Sequence, residues 1–421
     1  MQEALGNLRK TQIAETAIRY DGWRIVGVCF LVATFGWGFG FYGQSVYLAE
    51  LHRARGWPTS LLSGATTFFY LFGAIIVAFV AEAIRRVGPR NCLLAGILAL
   101  AVAAIAIGEA RTPWQLYAAN ALLAFGWAGT SLAMITTTLS LWFDQRRGMA
   151  ISLALNGASF GGIAGVPLLV AAIGHFGFSR AMTLAALTMV ALLVPVVLLL
   201  VGPPPRHRGA TEKAVRGDAL APSQIRVEAL RDVRFLSIAI GFALVLFAQV
   251  GFIVHLIAFL DPLIGPQGAA TAIALLTAMA LSGRLLMSVV IDRLNQRLAS
   301  ALSFLSQAVA LAIVVHFRNE ILLMAACALF GFSVGNLITL PSLIVQREFA
   351  AGSFGVLISL STAIGQVTYA FGPGVLGLLR DLSGSYSLPF SCCIALEVAA
   401  AALIMAPVIS PAAGRRGRDV W

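Results

Sequence analysis

The sequence predicts an all-α polytopic membrane protein whose twelve transmembrane helices form two pseudo-symmetric six-helix bundles. Three observations support this fold class. Of the 421 residues, 59% are hydrophobic and only 11% are charged, against about 25% charged in soluble domains. The apolar runs are long enough to cross about 30 Å of hydrocarbon as helices. The pattern of the second half of the chain also repeats that of the first.

Each long apolar run is interpreted as one membrane-crossing helix, called a span and numbered along the chain. The twelve spans lie roughly at 23–50, 60–84, 91–110, 114–140, 148–172, 180–201, 234–260, 267–291, 298–316, 320–345, 352–378 and 384–409. The predicted domains are a cytoplasmic N-terminal segment at 1–22, a six-helix bundle at 23–201, a cytoplasmic linker at 202–233, a second six-helix bundle at 234–410 and a cytoplasmic tail at 411–421. The linker begins with three prolines and is expected to carry a short surface helix near 223–231.

The basic residues are distributed unevenly between the two sides of this topology. Of the 29 Lys and Arg residues, 22 lie on one side and six on the other, and Arg284 remains inside span 8. Cytoplasmic loops carry the excess of Lys and Arg, so both termini are predicted to be cytoplasmic, in a multi-pass protein of the cell inner membrane. The net charge of +11 follows from this topology and does not indicate nucleic-acid binding.

The two halves repeat at an offset of 206 or 207 residues. Arg86 and Arg90, which follow span 2, recur as Arg293 and Arg297 after span 8. Duplicated halves place a substrate site near the middle of the membrane, where the halves meet. Arg284 has an apolar residue at its counterpart position, and this asymmetry favours a role in ligand binding over a role in the scaffold.

Arg284 is the first candidate substrate-binding residue. A cation inside a membrane costs roughly 2.5–3.5 kcal/mol on insertion scales, so such residues face a bundle interior or a wet cavity and have a partner. The planar guanidinium matches a carboxylate through two parallel hydrogen bonds. The alternative is an arginine that extends to the cytoplasmic surface or pairs with Asp292, two turns away on the same helix.

Four further residues are candidates for the same site. His255 in span 7 can carry a proton near neutral pH or donate a hydrogen bond to an anion. Tyr42, Asn336 and Tyr369 lie near the middle of spans 1, 10 and 11. The alternative for each of these four is a polar contact between neighbouring helices. Glu397 in span 12 is expected to be a buried, protonated carboxyl without a role in transport.

Several motifs resemble those of a known superfamily. The loop after span 8, Ser288-x-x-x-Asp292-Arg293-x-x-x-Arg297, resembles the cytoplasmic gating motif of the major facilitator superfamily. The resemblance implies the major facilitator fold and gating roles for Asp292 and Arg293, and for Arg86 and Arg90 in the first copy of the motif. In that copy the motif's carboxylate is missing or is replaced by Glu82.

Two other stretches are similar to signatures of the monocarboxylate transporter family and its bacterial relatives. These are Asp21-Gly22-Trp23 before span 1 and Trp142-Phe143-x-x-Arg146-Arg147-Gly148-Met149-Ala150 before span 5. The resemblance implies transport of small carboxylates, often with a proton, and an arginine in span 8 that binds the carboxylate. Arg284 stands at that position, but the acidic residue that better-known members carry one turn earlier is replaced by Ala280.

The predicted function is secondary active transport of a small organic anion, a monocarboxylate, by alternating access across the lipid bilayer, with protons as the candidate coupling ion. One alternative is an oxalate/formate-type anion exchanger, because Ala280 removes the family's proton site. Another is a drug or cation exporter, which would need an embedded acid in the first half. A receptor on a transporter fold would need an output domain. No phosphate loop, catalytic constellation or metal-ligand spacing occurs, so no enzyme activity, cofactor or metal is expected.

Overall fold

The structure, a computed structural model, describes residues 20–143, 146–202, 222–290, 294–337, 339–350 and 353–409. Within these ranges the chain is helical and contains no strand. Nine of the described helices are long and apolar enough to cross a membrane, and one of them, Val233–Met287, bends at Gly265 and holds both span 7 and span 8. The predicted all-α polytopic fold is confirmed.

The helices follow the predicted spans in order. The first half contains Gly22–Trp37, Gly43–Arg55, Thr59–Val77, Val80–Glu109, Pro113–Ala128, Leu132–Ser140, Arg147–Phe160, Val166–Phe176 and Phe178–Leu200. Two π-helical segments, Gly38–Tyr42 and Gly161–Gly165, interrupt spans 1 and 5. The second half contains Pro222–Ala229, Val233–Val290, Gln296–His316, Glu320–Val334, Leu340–Glu348, Phe354–Ala370, Gly372–Ser383 and Ser387–Ile409. The short helix expected in the linker is therefore present as Pro222–Ala229.

Two Gly-Pro pairs mark turns between consecutive spans. Gly88 separates span 2 from span 3, and Gly265 separates span 7 from span 8, with φ of 83° and 75°. Glycine adopts this left-handed backbone region without a steric penalty. Pro89 and Pro266 follow directly, and proline is well suited to the first turn of the next helix, where its missing N–H costs nothing.

Spans 4 and 10 break at equivalent positions. Span 4 is helical to Ala128 and resumes at Leu132. Span 10 is helical to Val334 and resumes at Leu340. Discontinuous helices of this kind leave backbone carbonyls available to ligands or side chains, and transporters use them at binding sites.

The described residues group into two compact units. Residues 20–43 and 72–202 form the first unit, and residues 44–71 and 222–409 form the second. The boundary after residue 43 directly follows the π-helical segment of span 1. This grouping is based on which residues lie close together in space. The domain limits predicted from the sequence, with a linker at 202–233, are based on the repeat of the two halves and stay a prediction.

The core of the second unit is built from apolar side chains of spans 7, 9, 10 and 12. Phe242 and Phe304 meet edge to face, with ring centroids 5.2 Å apart. The linker helix contributes Ile225 and Ala229 to this core. Its buried face explains why the helix forms within a stretch of low hydrophobicity.

Candidate functional site

Arg284 lies at the break in span 10. Its side chain is half-buried, and its Nε donates a hydrogen bond to the Gly335 carbonyl at 3.3 Å. Gly335 directly follows the last helical residue of Glu320–Val334. The Thr339 N–H bonds to the Asn336 carbonyl instead of that of Gly335. The break therefore supplies the backbone acceptor that orients Arg284.

Glycines bring spans 8 and 10 into backbone contact at this level. A Cβ on Gly335 would overlap the Ala280 carbonyl oxygen and would lie 3.2 Å from Cβ of Arg284. Gly283 faces the Phe332 carbonyl, and Gly331 faces that of Leu276, just as closely. Small residues permit such approach between membrane helices. The position of Arg284 relative to span 10 is fixed by the backbones themselves.

Asn336 directly follows Gly335, the residue whose carbonyl accepts the hydrogen bond from Arg284. It is 1% exposed, and its Nδ2 donates to the Phe332 carbonyl at 3.4 Å. Its Oδ1 is buried and has no hydrogen-bond partner among the described residues. The structure therefore brings Arg284 and Asn336 together at the break in span 10.

Tyr369 belongs to the same unit but makes a different contact. Its ring meets that of Tyr70 edge to face, with centroids 5.6 Å apart. Tyr70 lies in span 2, in the part of the first half that groups with the second unit. The pair joins spans 2 and 11.

His255 lies apart from Arg284, between spans 7, 11 and 12. It is fully buried, with Nε2 3.0 Å from the Pro373 carbonyl and Nδ1 3.2 Å from the Tyr386 hydroxyl. A carbonyl can only accept, so Nε2 carries the proton and Nδ1 accepts from Tyr386. Counted from the bend at Gly265, the two residues differ in level by about 13 Å along the helix axes. Both nitrogens of His255 thus bond to the protein's own groups.

Tyr42 belongs to the first unit, at the end of the π-helical segment Gly38–Tyr42. It is buried and meets Phe41 edge to face at 5.0 Å. Gly161 of span 5 approaches this region of span 1, because a Cβ on it would overlap the Thr34 carbonyl and lie 3.0 Å from the Gly38 nitrogen. π-Helical turns of this kind are frequent at functional sites.

The proposed gating residues are only partly within the described structure. Arg86 donates from Nε to Glu82 at 2.8 Å, and Arg85 pairs with the same carboxylate. Glu82, the acid that the sequence offers as a replacement for the motif's carboxylate, thus pairs with both arginines. Arg90 is exposed beyond the bend at Gly88. Asp292 and Arg293 lie outside the described residues.

Arg297 forms a buried network that the sequence did not indicate. Its side chain is 4% exposed, and its guanidinium binds both oxygens of Glu348, from Nε at 2.6 Å and from Nη2 at 2.8 Å. Nη1 also donates to the Ser237 hydroxyl at 2.9 Å and the Ile404 carbonyl at 2.7 Å. This residue joins the ends of spans 7, 9, 10 and 12.

Two groups of charged contacts at the other end of the second unit were also missed. Arg53 binds Glu50 at 2.8 Å and also Asp261. Asp381 accepts the Ser60 backbone N–H at 2.7 Å and lies 3.1 Å from Arg380. Partial burial raises the pKa of Asp381, but the Ser60 hydrogen bonds and the charge of Arg380 outweigh it, so the net pKa lies below its usual value. No sequence signal marked these residues, because charges at span ends are ordinary.

Comparison with known proteins gives one family. The family model of the Major Facilitator Superfamily matches residues 28–373. The MFS-type transporter pynF of Aspergillus niger is 26% identical over 365 residues, which cover 85% of this chain and 81% of that protein. Monocarboxylate transporter 13 of Rattus norvegicus is 25% identical over 379 residues, covering 88% and 85%.

A solved structure agrees with the fold. The crystal structure of the nucleoside transporter NupG has a TM-score of 0.74 to this chain and covers 92% of it, with 99% of the NupG chain included. The sequence identity is 13%, so the likeness concerns the fold alone.

Proposed function

The chain belongs to the Major Facilitator Superfamily, and we propose that it is a secondary active transporter of a small organic anion, a monocarboxylate, that works by alternating access. The observation that carries the proposal is Arg284, a half-buried guanidinium in span 8 held against the broken segment of span 10. Nε donates to the Gly335 carbonyl, and the planar, charged guanidinium is the side-chain group whose geometry matches a carboxylate.

The proposed site has Arg284 as its anion-binding group and Asn336 beside it. Tyr369 and Tyr42 are proposed as further contacts from spans 11 and 1, and His255 as a polar group of span 7. Arg86, Arg90, Asp292 and Arg293 are proposed as gating residues at the cytoplasmic face. The similarity to a monocarboxylate transporter supports the choice of a carboxylate over other anions.

The location is also part of the proposal. We place the protein in the cell inner membrane with both termini and the 202–233 linker in the cytoplasm, because 22 basic residues lie on that side and six on the other. An ion gradient or exchange supplies the energy, without a cofactor, and the protein has no enzyme activity.

The test is counterflow in proteoliposomes that contain the purified protein and a panel of radiolabelled short carboxylates. We expect counterflow of at least one carboxylate. We expect Arg284→Ala to weaken its binding, because losing one partner of a desolvated charge pair costs about 2–5 kcal/mol. That is roughly 30-fold to several thousand-fold in affinity.

Arg284→Lys separates charge from geometry, since an ammonium cannot reproduce the planar fork. We expect poor rescue. Arg347→Ala, an exposed arginine in the last turn of span 10, is the matched control and should bind as the unmodified protein does. Near-normal affinity in Arg284→Ala, or transport of a lipophilic cation with none of the carboxylates, would overturn the proposal.

An anion exchanger is the second candidate, and Ala280 is the observation that favours it. The acidic residue that the resemblance places one turn before Arg284 is absent. An exchanger needs no proton carrier, because one anion leaves as another enters. Uptake that requires an anion inside the proteoliposomes and does not depend on a pH gradient would identify anion exchange.

A further inference from the structure

Span 12 contains a carboxyl group buried in the apolar core of the second unit. Glu397 is 0% exposed. It lies on the same helix face as Ala400, Ala401 and Ile404, which belong to that core. Neither carboxyl oxygen has a hydrogen-bond partner among the described residues. An ionised carboxylate in such surroundings is costly without a partner, so this environment favours the neutral acid.

Span 9 presents a second polar group of the same kind. Gln307 is 0% exposed, and both its amide oxygen and its amide nitrogen lack a partner within the described ranges. Buried polar groups are almost always hydrogen-bonded. Two fully buried side chains with four unsatisfied polar atoms on packed helices are therefore an exception that needs an explanation.

The two side chains lie at similar depth. Arg297 at the start of span 9 bonds to the Ile404 carbonyl of span 12, and the two spans run in opposite directions in the twelve-span topology. With a rise of 1.5 Å per residue, Gln307 lies about 15 Å beyond that contact, and Glu397 lies about 10 Å beyond it. Their levels along the helix axes therefore differ by about 5 Å.

The charged groups on the neighbouring helices are already engaged. Arg297 of span 9 binds Glu348, and His255 of span 7 bonds to Pro373 and Tyr386. Arg380 of span 11 pairs with Asp381. On span 12 itself, Cys393 lies one turn before Glu397, and its Sγ points to the Ala248 carbonyl at 3.9 Å. The described helices packed against Glu397 thus offer it no free cation.

We propose that Glu397 and Gln307 form a buried proton-binding site between spans 9 and 12. The carboxyl holds one proton, and the Gln307 amide, which is not bonded to it in this structure, becomes its hydrogen-bond partner when the two side chains turn toward each other. When water enters between the two helices, the O–H bond breaks, the proton passes to water and the carboxylate remains. A metal ion would need several oxygen ligands, whereas apolar residues such as Phe304 and Ala400 surround this site.

This site is distinct from Arg284, which contacts span 10. It gives the chain a proton carrier that can stand in for the acid missing at Ala280. Its role in coupling rests on the proposed function, whereas proton binding at Glu397 does not. The test therefore follows the proton directly and uses no transport substrate.

The experiment is infrared difference spectroscopy of the purified full-length protein in proteoliposomes, stepped from acidic to alkaline buffer. We expect a protonated-carboxyl C=O band that persists where exposed acids are ionised and is lost at higher pH. Glu397→Gln should lack this band. The control Glu109→Gln removes an exposed carboxyl and should keep it. Gln307→Leu, which leaves the carboxyl in place, should shift the band because a hydrogen-bond partner is lost.

The test remains valid if Glu397→Gln inserts poorly into the membrane. In that case Gln307→Leu, which retains the Glu397 carboxyl, still reports on the band of that carboxyl. A Glu397→Gln spectrum identical to that of the unmodified protein would overturn the proposal. So would a band that sodium abolishes at constant pH, since that result would indicate a metal cation in place of the proton. An unshifted band in Gln307→Leu would remove the amide from the site.

Discussion

Asp381 stabilises the start of a helix through Ser60, which lies 321 residues earlier in the chain. Its carboxylate accepts the backbone N–H of Ser60, at the second residue of the helix Thr59–Val77. The first N–H groups of a helix have no partner within the helix, and a negative charge at this end is favourable. An acid from span 11 therefore completes the start of span 2.

We expect Asp381→Ala to lower the stability of the purified protein by about 1 kcal/mol, the usual cost of losing a helix cap. Because the folded pKa is depressed, the stabilisation is fully present above the ordinary Asp pKa of about 3.9. It is lost as the pH falls from that value through the folded pKa. Thermal melts in detergent should show a neutral-pH difference that disappears in acid. Asp21→Ala, which removes an exposed acid, is the control, and a pH-independent difference would contradict the assignment.

Arg297 and Glu348 form an ion pair with two hydrogen bonds in the described part of the second unit. Removing one member of a buried pair costs about 3–5 kcal/mol. Glu348→Ala should fall at the lower end, because Arg297 keeps the acceptors Ser237 and Ile404. We expect a clear loss of thermal stability, while Arg347→Ala, next to Glu348 but exposed, should melt as the unmodified protein does. Equal melting of Glu348→Ala and Arg347→Ala would show that the pair contributes little.

At the residue scale, the sequence identified Arg284 because a single charge in a long apolar run has no ordinary explanation. It could not identify Glu348 or Asp381, since charges at span ends are common and their partners lie far away in the chain. It also could not distinguish His255 as a ligand group from His255 as a contact between helices. That distinction depends on Pro373 and Tyr386, which come from two other spans.

At the scale of elements, the contact between spans 8 and 10 depends on glycine. A Cβ on Gly335 would overlap the Ala280 carbonyl oxygen, so Gly335→Ala must separate the two helices and move Arg284 away from its backbone acceptor. We expect lower thermal stability and weaker carboxylate binding in proteoliposomes. A Cβ on Gly174 meets nothing within 4 Å, so Gly174→Ala is the matched control and should be neutral or slightly stabilising. Unchanged binding in Gly335→Ala would show that this contact does not position Arg284.

The turns at Gly88-Pro89 and Gly265-Pro266 could be predicted, because the sequence places these residues between apolar runs. The breaks inside spans 4 and 10 and the π-helical segments of spans 1 and 5 could not. Hydrophobicity continues through them, so the periodic pattern does not change where the helix unwinds. The weak signal was local: Gly129-Thr130-Ser131 and Gly335-Asn336 both put glycine beside polar residues.

At the scale of the whole molecule, composition and span length were sufficient for the fold class, and the motif resemblance is confirmed at the level of the superfamily. The compact grouping of residues 44–71 with the second unit was beyond the sequence. It depends on contacts such as Thr67 accepting the Gly374 N–H at 3.0 Å and Ser45 accepting the Ile257 N–H at 3.0 Å. Ser and Thr hydroxyls occur in many membrane helices, and their presence in the sequence does not reveal which residue they will bond to.

Coupling of transport to protons requires a buried group that can take up and release a proton. His255 was the sequence-based candidate for the proton carrier, but both its nitrogens are bonded within the protein, whereas Glu397 has no described partner and is fully buried.

In empty proteoliposomes under a pH gradient, we expect Glu397→Gln to lose gradient-driven uptake of the carboxylate found by counterflow. It should keep counterflow itself, because the amide resembles the permanently protonated acid. His255→Gln should keep the dependence of uptake on the pH gradient, because both ring nitrogens of His255 are bonded within the protein. Loss of gradient-driven uptake in His255→Gln alone would return the proton to His255, and gradient-independent uptake in the unmodified protein would identify an exchanger.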